Sequence, residues 1–343
     1  MVPAATPAEA YDKSSDPVIF VHGYTENGYD GAGGCNVDAG RDVQQYFNNP
    51  QHASPPQANT LEKTIRSYGW TGPFHYVGYY RCDDNLTSGP LGYDWLTRYN
   101  ERGWNWELPG WQNTEEADGS HNNDPSHCQF HMATGYHADE DCSINNLAYH
   151  LAWYIYWNFS RYGISVHVIA HSMGGLMIRS ALYEHNHQSV FPSTLLVESV
   201  VTFATPHNGV NFTAQTTQSR QMYPAVWPSY LTNLNKDGFP QGNNGTKWLL
   251  IGSDGDRLVT DESATHMSGA GVYKVVYKSG PDHRNYVDDP WVRRVDPART
   301  ACWSLGTAGV PKNGTNNADN IGPMIERGLS SVWQKPPAAN AGC

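Results

Sequence analysis

No stretch of this chain approaches the roughly 20 consecutive apolar residues that a bilayer-spanning helix needs, and no segment gathers lysine and arginine into a cluster. The first absence argues against a transmembrane segment. The second, with a formal net charge of −11 from 22 basic against 33 acidic residues, argues against a nucleic-acid partner, because phosphate binding needs a concentrated basic surface. No internal repeat or low-complexity boundary divides the 343 residues, so a solenoid is excluded and a single domain spanning 1–343 is expected. The first 17 residues, polar and rich in Ala and Pro, lack the basic and apolar blocks of a signal peptide. Cys-x-x-Cys pairs are also missing. The six cysteines, Cys35, Cys82, Cys128, Cys142, Cys302 and Cys343, form an even set spread along the chain. Disulfides in an oxidising compartment explain that spread better than metal binding or cytosolic thiols, so the expectation is a secreted protein whose leader has been removed. Six cysteines leave the connectivity open; the local guess is Cys35–Cys82, Cys128–Cys142 and Cys302–Cys343. Sequons at Asn85, Asn158, Asn211, Asn244 and Asn313 occur about as often as chance allows and decide nothing about glycosylation.

What is present is an alternation of buried strands and helices. Apolar runs at 17–21, 74–80, 165–169, 194–203, 248–251 and 272–277 read as strands. Helical patterns at 41–47, 61–68, 144–162, 176–183 and 317–333 stand between or after them. This is the α/β signature: a mostly parallel central sheet flanked by helices on both faces. Two stretches break the pattern. Residues 82–142 are rich in Gly, Asn, Asp and His and carry Trp95, Trp104, Trp106 and Trp111, and residues 210–245 hold Trp227 and Tyr230 without a sustained period. Long irregular stretches inside a compact domain are commonly lid or substrate-binding loops. The expectation is two lid-like insertions within one domain, with Trp104 and Trp106 facing substrate.

The segment from Val166 to Gly175 reads VHVIAHSMGG. A strand that stops on small-x-Ser-x-Gly can turn sharply into a helix with the serine at its tip, small residues being needed because strand and helix pass within touching distance. Ser172 is therefore the candidate nucleophile, with Ala170 at the first small position. A serine hydroxyl needs a base, and the base needs an orienting carboxylate. In an open parallel sheet both belong at the carboxyl ends of strands. Asp254 and Asp256 follow the strand at 248–251, and His283 follows the strand at 272–277; His266 and His207 are competing bases.

The order Ser172, Asp256, His283 is that of the α/β-hydrolase superfamily. The sequence resembles secreted lipases and esterases of that superfamily, being similar to small bacterial lipases with Ala-His-Ser-Met-Gly and to extracellular polyester depolymerases with the same elbow. The resemblance covers 17–24, 164–180, 196–209, 247–259 and 272–283, and omits 82–142 and 210–245. It implies an α/β-hydrolase fold. Its Asp-x-hydrophobic-Val pattern matches Asp256-Arg257-Leu258-Val259 and favours Asp256 over Asp254, while His207 matches a structural Thr-Pro-His position. It further implies an oxyanion hole from the amides of Met173 and of Tyr24, the latter following His22-Gly23, with His22 and His171 near substrate.

The implied activity is hydrolysis of carboxylic esters without any cofactor, by a monomer, on lipid first and on aliphatic polyesters of the polyhydroxyalkanoate type second. The 12 tryptophans and 21 tyrosines suit an insoluble or polymeric ester. A peptidase or transacylase is a nearer rival, since the same three groups serve both, and a secreted binding protein without catalysis is a more distant one. The cluster His127, Cys128, His131, His137, Asp139, Asp141 and Cys142 raises a zinc reading, but its spacing fits no standard site and a disulfide-closed loop is preferred. Residues 253–261 lack the EF-hand arrangement, so no metal is expected there.

Overall fold

The computed structural model describes residues 13–24, 43–48, 60–77, 143–189, 191–211, 217–236, 245–292, 299–306, 311, 313–316 and 318–330. The expected insertion at 82–142 lies outside them, with Trp104, Trp106, the His/Cys-rich run and every cysteine but Cys302. That residue, fully buried, is disulfide-bonded. The proposed pairings thus involve partners outside the described residues.

Eight strands form one sheet in the order β2-β1-β3-β4-β5-β6-β7-β8. They are β1 (Val18–Val21), β2 (Phe74–Val77), β3 (Val166–His171), β4 (Val197–Phe203), β5 (Lys247–Ser253), β6 (Val272–Lys278), β7 (Thr300–Leu305) and β8 (Asn313–Asn316). Pairings through β6 are parallel; β6–β7 and β7–β8 are antiparallel. A strand covered on both faces reads as a mostly apolar run, and Val-Ile-Phe-Val and Val-His-Val-Ile-Ala-His are buried at every position, the two histidines included. The pleat then sends alternate residues to two separate cores. Ile19, Val21, Val168, Val200 and Leu250 join one; Val18, Phe20, Ile169, Val201 and Leu249 join the other.

The helices are α1 (Val43–Asn48), α2 (Leu61–Ser67), α3 (Ile144–Asn158), α4 (Met173–Glu184), α5 (Thr217–Gln221), α6 (Pro228–Lys236), α7 (Asp261–Ala264), α8 (Asp289–Val292) and α9 (Ile321–Ser330). Helices α3, α4 and α6 cover the first core, and α1, α2 and α9 the second. Thr60 starts α2 as an N-cap, its hydroxyl oxygen accepting from the Lys63 amide at 3.2 Å.

Three expectations change. The stretch 210–245, read as irregular, contains α5 and α6. Helix α6 buries Tyr230, Leu231 and Leu234 on one face behind a proline at its first position. The long helix expected over 144–162 ends at Asn158, and a separate 3-10 turn, Ser160–Tyr162, follows before Gly163 closes it in the left-handed region. Strands β7 and β8 were not anticipated at all.

Strand order also locates the crevice. From β1 the chain moves outward to β2, whereas from β3, on the other side of β1, it moves away through β4, β5 and β6. Connections that leave two neighbouring strands in opposite directions open a gap beyond their carboxyl ends. That gap lies past Val21 and His171.

Candidate active site

Ser172 occupies the turn between β3 and α4 with φ 53° and ψ −131°. Such a conformation costs a non-glycine residue on the order of 1–3 kcal/mol and persists only where its surroundings enforce it. Here the Ser172 amide donates to the Phe203 carbonyl at 3.0 Å, and the Ser172 carbonyl accepts from the Gly175 amide at 3.0 Å. Crowding supplies the rest. A Cβ on Gly174 would stand 2.2 Å from the His22 carbonyl oxygen, and one on Gly23 would stand 2.7 Å from Ser172 Cβ. The two Gly positions are therefore empty because β1 and the elbow pass at contact distance, as the switch point requires.

The Ser172 hydroxyl donates to His283 Nε2 at 2.9 Å. His283 Nδ1 donates to Asp256 Oδ2 at 3.0 Å. The Asp256 side chain is fully buried and its other oxygen accepts from the Leu258 and Val259 amides, each at 2.9 Å. The carboxylate is thus locked from below by its own loop and has one oxygen left for the imidazole. Each link has the direction needed to pass the serine proton to the ring.

The competing residues are engaged elsewhere. Asp254 accepts from the Ser279 amide at 2.6 Å, tying the loop after β5 to the loop after β6. His207 is fully buried and pairs through Nε2 with the Thr202 hydroxyl at 3.1 Å; burial first, then Arg179, His266 and Lys274, push its pKa well below the ordinary histidine range. Its carbonyl accepts from Arg179 at 3.2 Å and from the Asn235 side chain at 3.1 Å, joining α4 to α6. His266 is exposed at the turn after α7.

Around the serine, Met173 is fully buried as the first residue of α4, and Tyr24 is half-buried, packed against the core under α3 and α4. His22 and His171, expected near substrate, are 2% and 4% exposed, beside 7% for Ser172 itself. His171 shares a face of β3 with Ile169 and lies beside Phe203, their rings 5.1 Å apart. His22 Nδ1 donates to the Gly23 carbonyl at 2.8 Å. Sequence reading missed Tyr46 on α1, whose hydroxyl hydrogen-bonds His171 Nδ1, and Tyr286, fully buried and stacked on Phe203 at 5.8 Å. Neither sits in a motif; only proximity to His283 in sequence pointed toward Tyr286. Among the described residues, no group of three or more His, Cys, Asp or Glu side chains is placed to hold a metal ion. Nor is any helix there long and apolar enough to cross a membrane.

Residues 114–235 match the family model described as "Putative serine esterase (DUF676)". No curated protein matches. Among solved structures, the chain is similar to the mature form of a Bacillus licheniformis lipase, BlEst2, at 13% identity and TM-score 0.38, over 76% of this chain and 82% of that one. It is also similar to Aspergillus fumigatus lipase B at 13% identity and TM-score 0.35, over 72% of this chain and 39% of that one. A third is the naproxen esterase of Bacillus subtilis, at 11% identity and TM-score 0.36, over 80% of each chain. The fold assignment rests on strand order: a mostly parallel eight-stranded sheet with its elbow after β3 is that of an α/β-hydrolase.

Proposed function

We propose that this α/β-hydrolase is a secreted carboxylic ester hydrolase working through an acyl-enzyme on Ser172. The observation that carries the reading is the unbroken hydrogen-bond chain from buried Asp256 through His283 to Ser172 at the tip of a strained elbow. In the first step Ser172 Oγ attacks the ester carbonyl while His283 Nε2 takes its proton, and Asp256 steadies the imidazolium that forms. The tetrahedral oxyanion is held by the amides of Met173, at the start of α4, and of Tyr24, just beyond β1. His283 then returns its proton to the departing alcohol. Water repeats the sequence on the acyl-enzyme and frees the acid. No cofactor takes part.

The substrate class put forward first is lipid ester, with aliphatic polyester second. A fluorophosphonate probe and p-nitrophenyl esters of graded chain length, used on wild type and Ser172→Ala, test the reaction. The expected result is labelling of wild type only and a rate loss of about 10³-fold or more in the variant. Full hydrolysis by Ser172→Ala sinks the assignment, and a folded wild type that takes no label turns the reading into a binding protein. Clearing of triglyceride emulsion against polyester film then separates the two substrates; activity confined to short soluble esters rejects both.

A further inference from the structure

Behind the chain that links Asp256, His283 and Ser172 runs a second one. Tyr46, on α1, hydrogen-bonds His171 Nδ1, and His171 Nε2 meets the main-chain carbonyl of His283 at 2.9 Å. A carbonyl oxygen only accepts, so Nε2 carries the proton, Nδ1 is the acceptor, and the Tyr46 hydroxyl is the donor. The directions are therefore set without any choice of tautomer. We infer that His171 and Tyr46 are a positioning pair, which fixes the backbone of His283 and thereby the reach of its Nε2 to Ser172. The inference rests on the reading of Ser172 as nucleophile given above.

Three observations support it. First, the main chain around the base is otherwise held locally: Ser279 donates to Asp254 at 2.6 Å before it, and the Arg284 and Asn285 amides donate to Asp282 at 3.1 and 3.2 Å after it. The bond from His171 joins the main chain of His283, whose side chain is engaged with Ser172 and Asp256, to the end of β3. Second, the His171 ring is clamped among the rings of His283 at 4.9 Å, Phe203 at 5.1 Å, Tyr46 at 5.6 Å and Tyr286 at 6.1 Å. Phe203 on β4 and Tyr46 on α1 hold the ring from outside the loop that carries His283 and Tyr286. Third, burial, followed by the neighbouring His283, holds the His171 pKa well below the ordinary range, against the opposing pull of the bond to the His283 carbonyl and with His22 adding to the depression. A neutral ring keeps one donor and one acceptor, which a two-sided link needs; a charged ring would offer two donors.

Tyr46 also ties the pair to the opposite wall. Its hydroxyl oxygen would be 3.3 Å from a Cβ on Gly23, so it stands where the loop after β1 meets the serine. One phenol thus touches the level of the elbow, the Gly23 turn and the base support together.

The test uses purified full-length protein and p-nitrophenyl butyrate. His171→Phe keeps a ring of similar size and removes the donor; its kcat is expected to fall about 10- to 100-fold with KM within about 2-fold, the size of effect that a misplaced base produces. His171→Gln, whose amide can both donate and accept, is expected to recover most of that loss although it fills less volume. Tyr46→Phe removes a single oxygen and is expected to lower kcat about 3- to 10-fold. Thermal unfolding is measured on each. Wild-type kcat in His171→Phe, or in Tyr46→Phe should the former not fold, overturns the inference. So does a loss that glutamine fails to recover in a variant with unchanged Tm. Absence of Ser172-dependent hydrolysis in wild type defeats the underlying reading instead, whereas an active wild type beside an unaffected His171→Phe defeats only the positioning pair.

Discussion

Two carboxylates stand two positions apart on the loop after β5, and their surroundings divide the tasks. Asp256 is buried and receives two amides from its own loop, those of Leu258 and Val259, before it receives His283. The Asp256 side chain curls back over the next turn to take those two amides, with Val259 buried and Leu258 exposed. Asp254 spends its carboxylate on the Ser279 amide at the loop surface. Asp256→Asn is therefore expected to lower kcat by about 10²- to 10⁴-fold, because the amide can present the wrong partner to Nδ1–H. Asp254→Ala is expected to leave kcat within about 3-fold and to cost about 1 kcal/mol of stability, the usual worth of one such bond. Steady-state kinetics with denaturant unfolding on both variants checks this; the reverse ranking would move the acid to Asp254. The sequence offered both residues on equal terms, and only the pattern 256–259 tipped the choice.

The elbow is an element held by its neighbour. Strand β1 ends where α4 begins, and the contact is main chain on main chain: a Cβ on Gly174 would lie 2.2 Å from the His22 oxygen and 2.6 Å from the Val21 oxygen. Backbone atoms cannot rotate aside, so Gly174→Ala is expected to destabilise the protein by about 3 kcal/mol or more, measured by thermal or denaturant unfolding. Gly23→Ala meets Ser172 Cβ at 2.7 Å instead, and its cost is expected mainly in kcat, with the serine displaced. A soluble Gly174→Ala of wild-type stability would contradict the close approach. Elements of this kind were legible because strand, turn and helix declare themselves within ten residues. Strands β1 and β3 to β6 were legible too, since a strand covered on both faces is a continuous apolar run. Strand β7, Thr-Ala-Cys-Trp-Ser-Leu, and β8, Asn-Gly-Thr-Asn, carry no such run: β8 lies at the sheet's end and β7 pairs between it and β6. Helix α6 hid because its apolar positions, Tyr230, Leu231 and Leu234, span barely one turn.

For the molecule as a whole, the buried polar groups set how stability responds to pH. His171 and His207 are both buried with pKa values depressed chiefly by burial. Their unfolded forms titrate near 6.5, so below that pH the unfolded chain binds protons that the folded one does not. Stability is full above about pH 6.5 and falls as pH drops, each residue contributing up to about 1.4 kcal/mol per pH unit. The expected outcome is a Tm that declines from pH 7 to pH 5 and a shallower decline in His171→Gln; equal slopes would contradict it. At this scale the division between sequence and structure becomes plain. By itself the sequence determined the sheet's parallel core, the elbow at Ser172, and the order of serine, acid and base, because each depends on neighbours a few positions away or on a burial pattern along one strand. Tertiary structure decided which acid faces the base, that His171 meets the main chain of His283, and that Tyr46 joins it. Those contacts close gaps of 112 positions from His171 to His283 and 125 from Tyr46 to His171. No local preference encodes them; they exist only because the fold brings together helix α1, the end of β3 and the loop after β6, with β4 and β5 between those two strands in the sheet.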